Sequence, residues 1–347
     1  QLLETHRREG AAATLLTTEQ LDPAAYGRIV RANDGSVQRI VETKHPEDVP
    51  AAELAIREIN IGAYAFEAGP LFEALERVEQ QHGERFLTGV FPLMRERGQR
   101  IVSHLTGDVR SAYGVNSRAE LMEVERLAQR QILERHARNG VGFQQPDSTR
   151  VEAAVTIGPD TSVGPGVTLR GATTIGAGCE LGPQTTITDS TLGDGVSAVH
   201  SFLVEAAVED GATLGPFAYL RPGANVGARA KVGTFVEVKN ARIGEGAKVP
   251  HLSYIGDAEI GAGSNIGAGN ITANYDGARK HRTTIGAGVR TSVDTSFVAP
   301  VSVGDGAYTG AGSVITEDVP DGALGIARSR QRNIEGYAER GKAERDE

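Results

Sequence analysis

An aliphatic residue recurs at every sixth position through the second half of the chain. Ile157, Val163, Leu169, Ile175, Leu181 and Ile187 keep this interval, as do Leu214, Leu220, Val226, Val232 and Val238. Ile285, Thr291, Phe297, Val303, Thr309 and Ile315 carry it again, with Thr at two places. Six is neither a helical nor a strand period. A six-residue repeat with one aliphatic residue, often followed by Gly, predicts a parallel β-helix whose aliphatic side chains fill a narrow prism. The beat slips by one place near Ile243 and Ile260 and is lost between Ile266 and Ile285, which predicts an excursion from the coil over 267–284. Long insertions in repeat proteins are frequent seats of function.

The chain up to Arg110 follows another rhythm. Apolar runs and alternations at 12–18, 36–42 and 59–66 predict strands, and "PLFEALERVEQQ" at 70–81 predicts a helix, so this part reads as α/β. From Ser117 a single long helix is expected. Ser117 and Glu120 form a capping box, Asn139-Gly140 supplies the stop, and Leu121, Val124 and Leu127 make a narrow apolar stripe suited to a linker. The predicted organisation is an α/β part over 1–116, a linking helix over 117–140, a β-helix over 150–330 and a polar tail over 331–347. The chain opens without Met, inside an amphipathic pattern, and its true beginning is expected to lie upstream.

Composition narrows the function. There are 44 Gly, 9 Phe, 8 Tyr and no Trp, so the core is built from small aliphatic residues packed close to backbone. A net charge of -9 argues against nucleic acid as a general partner. No run approaches the ~20 apolar residues that cross a bilayer, so no membrane insertion is expected. The one cysteine, Cys179, cannot form an internal disulfide, in keeping with a cytoplasmic setting.

Candidate chemistry gathers at the break in the repeat. Arg221 and Lys239 stand three repeats apart, which stacks them on one face if a coil takes three six-residue steps. With Lys280 reaching in from the excursion, they make a place for a phosphate. His251 is the nearby side chain able to accept a proton near neutral pH. A zinc site is not expected from His200, His251 and His281, because they are widely separated along the chain and form no close pair. "GAGSNIGAG" at 261–269 lies inside the beat and precedes no helix, so it is no nucleotide loop.

The stretches "GPFAYLRPGA", "GTFVEVKNARIGEGAKVPHLSYIGDAEIG", "NIGAGNITANYDGARK" and "APVSVGDGAYTGAGSVITEDVP" closely resemble the bifunctional bacterial enzymes that acetylate glucosamine-1-phosphate and then uridylate the product to UDP-N-acetylglucosamine. The resemblance implies a partial Rossmann-like nucleotidyltransferase domain, a linking helix and a left-handed parallel β-helix, in a cytoplasmic homotrimer serving cell-wall synthesis. It implies that His251 is the general base, with Glu237 orienting or polarising the imidazole. Arg221, Lys239, Tyr254, Asn265 and Lys280 match sugar-phosphate ligands, and Ala268, Asn274, Tyr275, Val293, Ala311 and Arg328 match acetyl-CoA positions. Val293 stands where the family usually carries Ser.

"YGRIVRANDGSVQRIVETKHPED", "REINIGAYAF" and "YGVNSRAEL" resemble the second half of the uridyltransferase domain. There Gly27, Glu42, Asn60 and Asn116 match uridine-nucleotide-sugar contacts, and Asn116 a ligand of the Mg2+ ion used with UTP. The family's glycine-rich triphosphate loop and its magnesium-sharing aspartate have no counterpart in these residues. The expected co-substrate of the β-helix is acetyl-CoA. Two alternatives remain open at this stage: a sugar-1-phosphate nucleotidyltransferase whose β-helix only oligomerises, and a non-catalytic scaffold solenoid.

Overall fold

In the computed structural model, which describes all residues except 21–22, 24–25, 108–112, 116 and 339–347, the repeat's aliphatic residues point inward. Val163, Leu169, Ile187, Leu220, Val232 and Val238 are fully enclosed. Burying each such side chain stabilises the coil by about 1.5–3 kcal/mol. Parallel ten-, nine- and seven-stranded sheets form the three faces. Leu169 faces Ile187 and Leu220 faces Val238, each three repeats along.

The coil is less uniform than the beat implies. Ile175 faces Leu192, one place short of three repeats, and Ile187 faces Leu203, two places short, slips that the aliphatic count passes over. Corners tighten there at Asp189 and His200, both in the left-handed region (φ 48° and 45°). Contact between coils is close enough to demand Gly at some positions. A Cβ on Gly193 would lie 2.1 Å from Asp210 Oδ1, which also accepts the Asp194 N–H at 2.8 Å.

The expected excursion over 267–284 is shorter in the structure. The coil continues through Ile271–Ala273, with Thr272 enclosed at the inward place one repeat after Ile266. Only residues 274–281 leave it, and this loop lengthens the coil in which Ile260 faces Ile285 well beyond three repeats. A threonine in an aliphatic place hid this turn from the count.

The chain divides into two compact units, Gln1–Val124 and Glu125–Glu347. In the first, strands β1 (Ala13–Glu19), β2 (Arg28–Arg31), β3 (Val37–Val41), β4 (Glu58–Phe66) and β5 (Ile101–Leu105) form a sheet in the order β3-β2-β4-β1-β5. β1 and β5 are parallel and the other pairs antiparallel. Helices α1 (Leu2–Glu9), α2 (Ala51–Leu54), α3 (Ala68–Leu75) and α4 (Val90–Glu96) accompany it, and Phe91, Met94, Leu15 and Ile29 fill its core. The helix expected over 70–81 ends at Leu75.

Helix α5 (Arg118–Arg138) spans the division in sequence. Its capping box is formed: Glu120 N–H donates to Ser117 Oγ at 3.2 Å and Ser117 N–H to Glu120 Oε2 at 2.8 Å. Gly140 closes it with φ 92°. The buried side chains of α5 are Leu133 and His136, while Leu121 is exposed, so the stripe lies nearer the C-terminus than Leu121, Val124 and Leu127 suggest. Among the described residues no helix is long and apolar enough to cross a membrane.

Candidate functional site

One edge of the prism turns through residues in the left-handed region, among them Leu252, Gly269, Asp294 and Gly312 in four successive coils. Their N–H groups donate to the preceding coil: Gly269 to His251 O (3.3 Å), Asp294 to Ala268 O (2.8 Å) and Gly312 to Val293 O (3.0 Å). His251, Ala268, Val293 and Ala311 each stand immediately before such a corner residue, so they descend one edge in line. With strands about 4.8 Å apart, the line from His251 to Ala311 is about 14 Å long. His251 closes the strand Lys248–His251 and is exposed. Among the described contacts its side chain has no hydrogen-bond partner, leaving the ring free to meet a ligand.

The ten-stranded face begins just beyond this edge. Leu220 and Val238 point inward, so Tyr219, Arg221, Glu237 and Lys239 point outward beside one another in register. The Arg221 guanidinium lies 5.9 Å from the Tyr219 ring centre and donates to Glu237 Oε1 at 2.7 Å. The Glu237 carboxylate thus holds Arg221, and among the described contacts no hydrogen bond joins it to the imidazole of His251, for which an orienting role was expected. Sequence separation could not reveal this, because His251 and Glu237 lie on different faces, at the ends of different strands.

Tyr254 follows Glu237 in register, with Gly256 beside Lys239. The absence of a Gly256 side chain lets the Tyr254 phenol lie flat, since a Cβ there would be 2.4 Å from the Tyr254 hydroxyl oxygen. Lys280 lies against Lys239 and lowers its pKa by like-charge interaction, Arg221 adding to the effect and Asp257 opposing it. Arg221, Lys239 and Lys280 thus form a compact positive patch suited to an anion.

Residues 274–281 form a closed loop. His281 N–H donates to Asn274 O at 2.8 Å, and Tyr275 pairs with Lys280 across the neck. Asp276 Oδ1 accepts the Ala278 and Arg279 N–H groups and Oδ2 meets His281 Nε2 at 2.6 Å, which holds its carboxyl well below the ordinary range. Asn274 is almost wholly buried and donates to Asp257 Oδ2, with the Tyr254 hydroxyl 3.5 Å away.

Not every expected ligand lands together. Asn265 bridges Lys248 and Arg290 on the seven-stranded face, across the corner from Tyr254. Arg328 is exposed near the end of the coil, just after Ala327, whose carbonyl accepts the Val314 N–H. Asp257 was missed by sequence reading, although two side-chain amides converge on it. Its only signal was its place in "YIGDAEIG", one coil before Asn274. Cys179 is buried, donates to Gly193 O at 3.2 Å and has its pKa raised by burial, as suits a structural thiol.

In the first unit Gly27, Glu42 and Asn60 gather. The Asn60 N–H donates to Gly27 O at 2.8 Å, and Thr88 Oγ1 donates to Glu42 Oε1 at 2.7 Å. Asn60 Nδ2 donates to the Tyr64 hydroxyl at 2.7 Å, and burial raises the pKa of Tyr64, with Glu42 nearby adding to it. Tyr64 and Thr88 were absent from the expected set. Glu42 and Thr88 also line a cavity of about 270 Å³ with Lys44, His45 and His82. Asn116 lies outside the described residues. Among the described residues there is no group of three or more His, Cys, Asp or Glu that could hold a metal ion.

The chain thus joins a five-stranded α/β unit to a hexapeptide coil with a cationic face. Residues 1–109 match the Nucleotidyl transferase family and residues 154–189 the Bacterial transferase hexapeptide (six repeats) family. Over 341 residues the chain is 50% identical to Bifunctional protein GlmU of Mycolicibacterium vanbaalenii, covering 98% of this chain and 69% of that protein. It is 47% identical to its namesake in Mycobacterium tuberculosis, covering 98% and 68%, and 48% identical to that of Streptomyces avermitilis, covering 98% and 70%. The chain belongs to the bifunctional GlmU family. The solved structure of LpxA from Acinetobacter baumannii aligns with 57% of this chain and 77% of that one at 15% identity and a TM-score of 0.35, too loose a likeness to carry a conclusion.

Proposed function

We propose that the β-helix transfers the acetyl group of acetyl-CoA to the 2-amine of glucosamine-1-phosphate. In the whole protein, the nucleotidyl transferase unit then moves a uridylyl group from UTP to the product, giving UDP-N-acetylglucosamine for cell-wall synthesis in the cytoplasm. The observation that carries the acetyl-transfer reading is His251 heading the line of Ala268, Val293 and Ala311, next to a face bearing Arg221, Lys239 and Lys280. The edge accommodates a long flexible thioester arm, and the cations accommodate the sugar's phosphate.

Chemistry follows from that placement. Neutral imidazole accepts a proton from the sugar amine as the nitrogen attacks the thioester carbonyl. The tetrahedral intermediate collapses, the carbon–sulfur bond breaks and the CoA thiolate leaves, taking a proton from the imidazolium. Arg221, fixed by Glu237, and the two lysines hold the phosphate so that the amine meets His251. For the first unit, Gly27, Glu42 and Asn60, with Tyr64 and Thr88 behind them, are proposed to hold the sugar nucleotide.

Asn265 lies across the corner from Tyr254, so both can reach one substrate if Asn265 comes from a second copy. This supports a homotrimer with its acetyl-transfer sites between copies. The test is CoA release from acetyl-CoA with glucosamine-1-phosphate or with glucosamine. Losing two charge-assisted contacts at about 1.5–3 kcal/mol each predicts a preference of at least about 100-fold in kcat/KM for the phosphorylated sugar. Equal rates would overturn the reading.

A further inference from the structure

Asn240, Asp257 and Asn274 occupy one corner of the prism in three successive coils, at equal intervals along the chain. Asn240 and Asp257 are both in the left-handed region, at φ 44° and 46°. Asp257 is almost wholly buried and spends its carboxylate on neutral amides: Oδ1 accepts Asn240 Nδ2 at 2.6 Å and Oδ2 accepts Asn274 Nδ2. Its backbone is also engaged, the N–H donating to Lys239 O at 3.0 Å and the carbonyl accepting the Thr283 N–H at 3.2 Å. Asn274 opens loop 274–281 and Thr283 follows it, so one residue grips both ends of the loop.

We propose that Asp257 is a positioning residue of the acetyl-transfer site, clamping the neck of loop 274–281 and thereby setting where Asn274, Tyr275 and Lys280 stand. A buried carboxylate costs free energy unless hydrogen bonds satisfy it, and here they come from the groups that need placing. Asp257 touches no expected substrate position except through Asn274 and Lys239. Its role in catalysis rests on the acetyl-transfer reading, but its grip on the loop does not.

The test compares the full chain with Asp257→Gly, Asp257→Asn and Glu205→Gly. Glycine tolerates the corner's positive φ and removes the carboxylate. Asparagine also tolerates it and, with the Asn274 amide turned over, keeps a neutral hydrogen bond. Glu205, at φ 46°, controls for adding glycine at a corner away from the loop. Losing the charge-assisted bond outright predicts amide hydrogen exchange over residues 275–281 at least about tenfold faster in Asp257→Gly, a smaller increase in Asp257→Asn, which keeps a weaker neutral bond, and exchange near wild type in Glu205→Gly. KM for both substrates should rise about tenfold while kcat stays within about threefold.

Unchanged loop exchange in Asp257→Gly, or equal loosening in Glu205→Gly, would overturn the clamp. A fall in kcat without a rise in KM would overturn the positioning role. Should Asp257→Gly not fold, Asn274→Ala removes the other side of the same bond, and slow loop exchange in that variant would equally overturn the clamp. A wild-type chain that folds but transfers no acetyl group would overturn the reaction, while the exchange comparison still decides the clamp.

Discussion

Replacing Thr272 by valine removes one hydroxyl from the prism at nearly constant volume. That hydroxyl accepts the Gly256 N–H at 2.8 Å and lies 2.9 Å from Gly256 O, to which it donates. Both residues are buried, and strand pairing between their coils shrinks to the single pair Tyr254 and Ile271, against three pairs in the coil before. The side chain therefore stands in for a missing rung of the backbone ladder. Leaving the Gly256 N–H buried without an acceptor costs about 1–3 kcal/mol, and the added methyl returns about 0.8 kcal/mol. The net loss of about 0.2–2 kcal/mol corresponds to a factor of up to about 30 in local opening.

Amide exchange at Gly256 reads this directly, with Thr272→Ser as control. Serine keeps the hydroxyl and loses a methyl, which costs about 1 kcal/mol of packing. The two variants can match in global stability and still differ at that one amide. Gly256 should exchange faster in Thr272→Val and near the wild-type rate in Thr272→Ser. Slow exchange at Gly256 in the valine variant would refute the substitute rung.

Two further expectations follow from particular contacts. Gly256→Ala places a Cβ 2.4 Å from the Tyr254 hydroxyl, a movable group, so melting should shift little while KM for glucosamine-1-phosphate rises; an unchanged KM would argue against the phenol's place in the site. Burial lowers the pKa of His136, with Arg135 adding to the effect, and its Nε2 has no hydrogen-bond partner. The neutral ring's contribution is complete above the unfolded value of about 6.5 and declines as pH falls from there towards the lowered folded pKa. Denaturation midpoints should therefore drop between pH 7.5 and 5.5 in the wild type and drop less in His136→Leu; parallel slopes would exclude His136 as the source.

The prism was legible because Val, Ile and Leu at a fixed interval have no use in a solvated chain. Irregular coils were harder to read. The shortened step from Ile187 to Leu203 uses tighter corners, and Thr272 fills an aliphatic place with a hydroxyl whose bonds depend on a neighbour one coil away. Register made the Arg221 and Lys239 stack predictable, since three repeats make one full coil there. The partner of Glu237 was not, because an outward carboxylate pairs with whichever cation lies beside it across the ladder. Asp257 escaped notice for a similar reason: its importance lies in two amides from other coils, invisible in its own hexapeptide.

Single-turnover acetyl transfer from acetyl-CoA to glucosamine-1-phosphate by His251→Ala, with binding of both ligands verified separately, tests the central claim most directly. General-base catalysis by a positioned imidazole is worth about 10²–10⁴ in rate. The variant should bind both substrates and fall by at least about 100-fold, with the loss easing as pH rises and the amine deprotonates unaided. A rate equal to that of the wild type would contradict the role of His251 and the reading of this edge as the acetyl-transfer site.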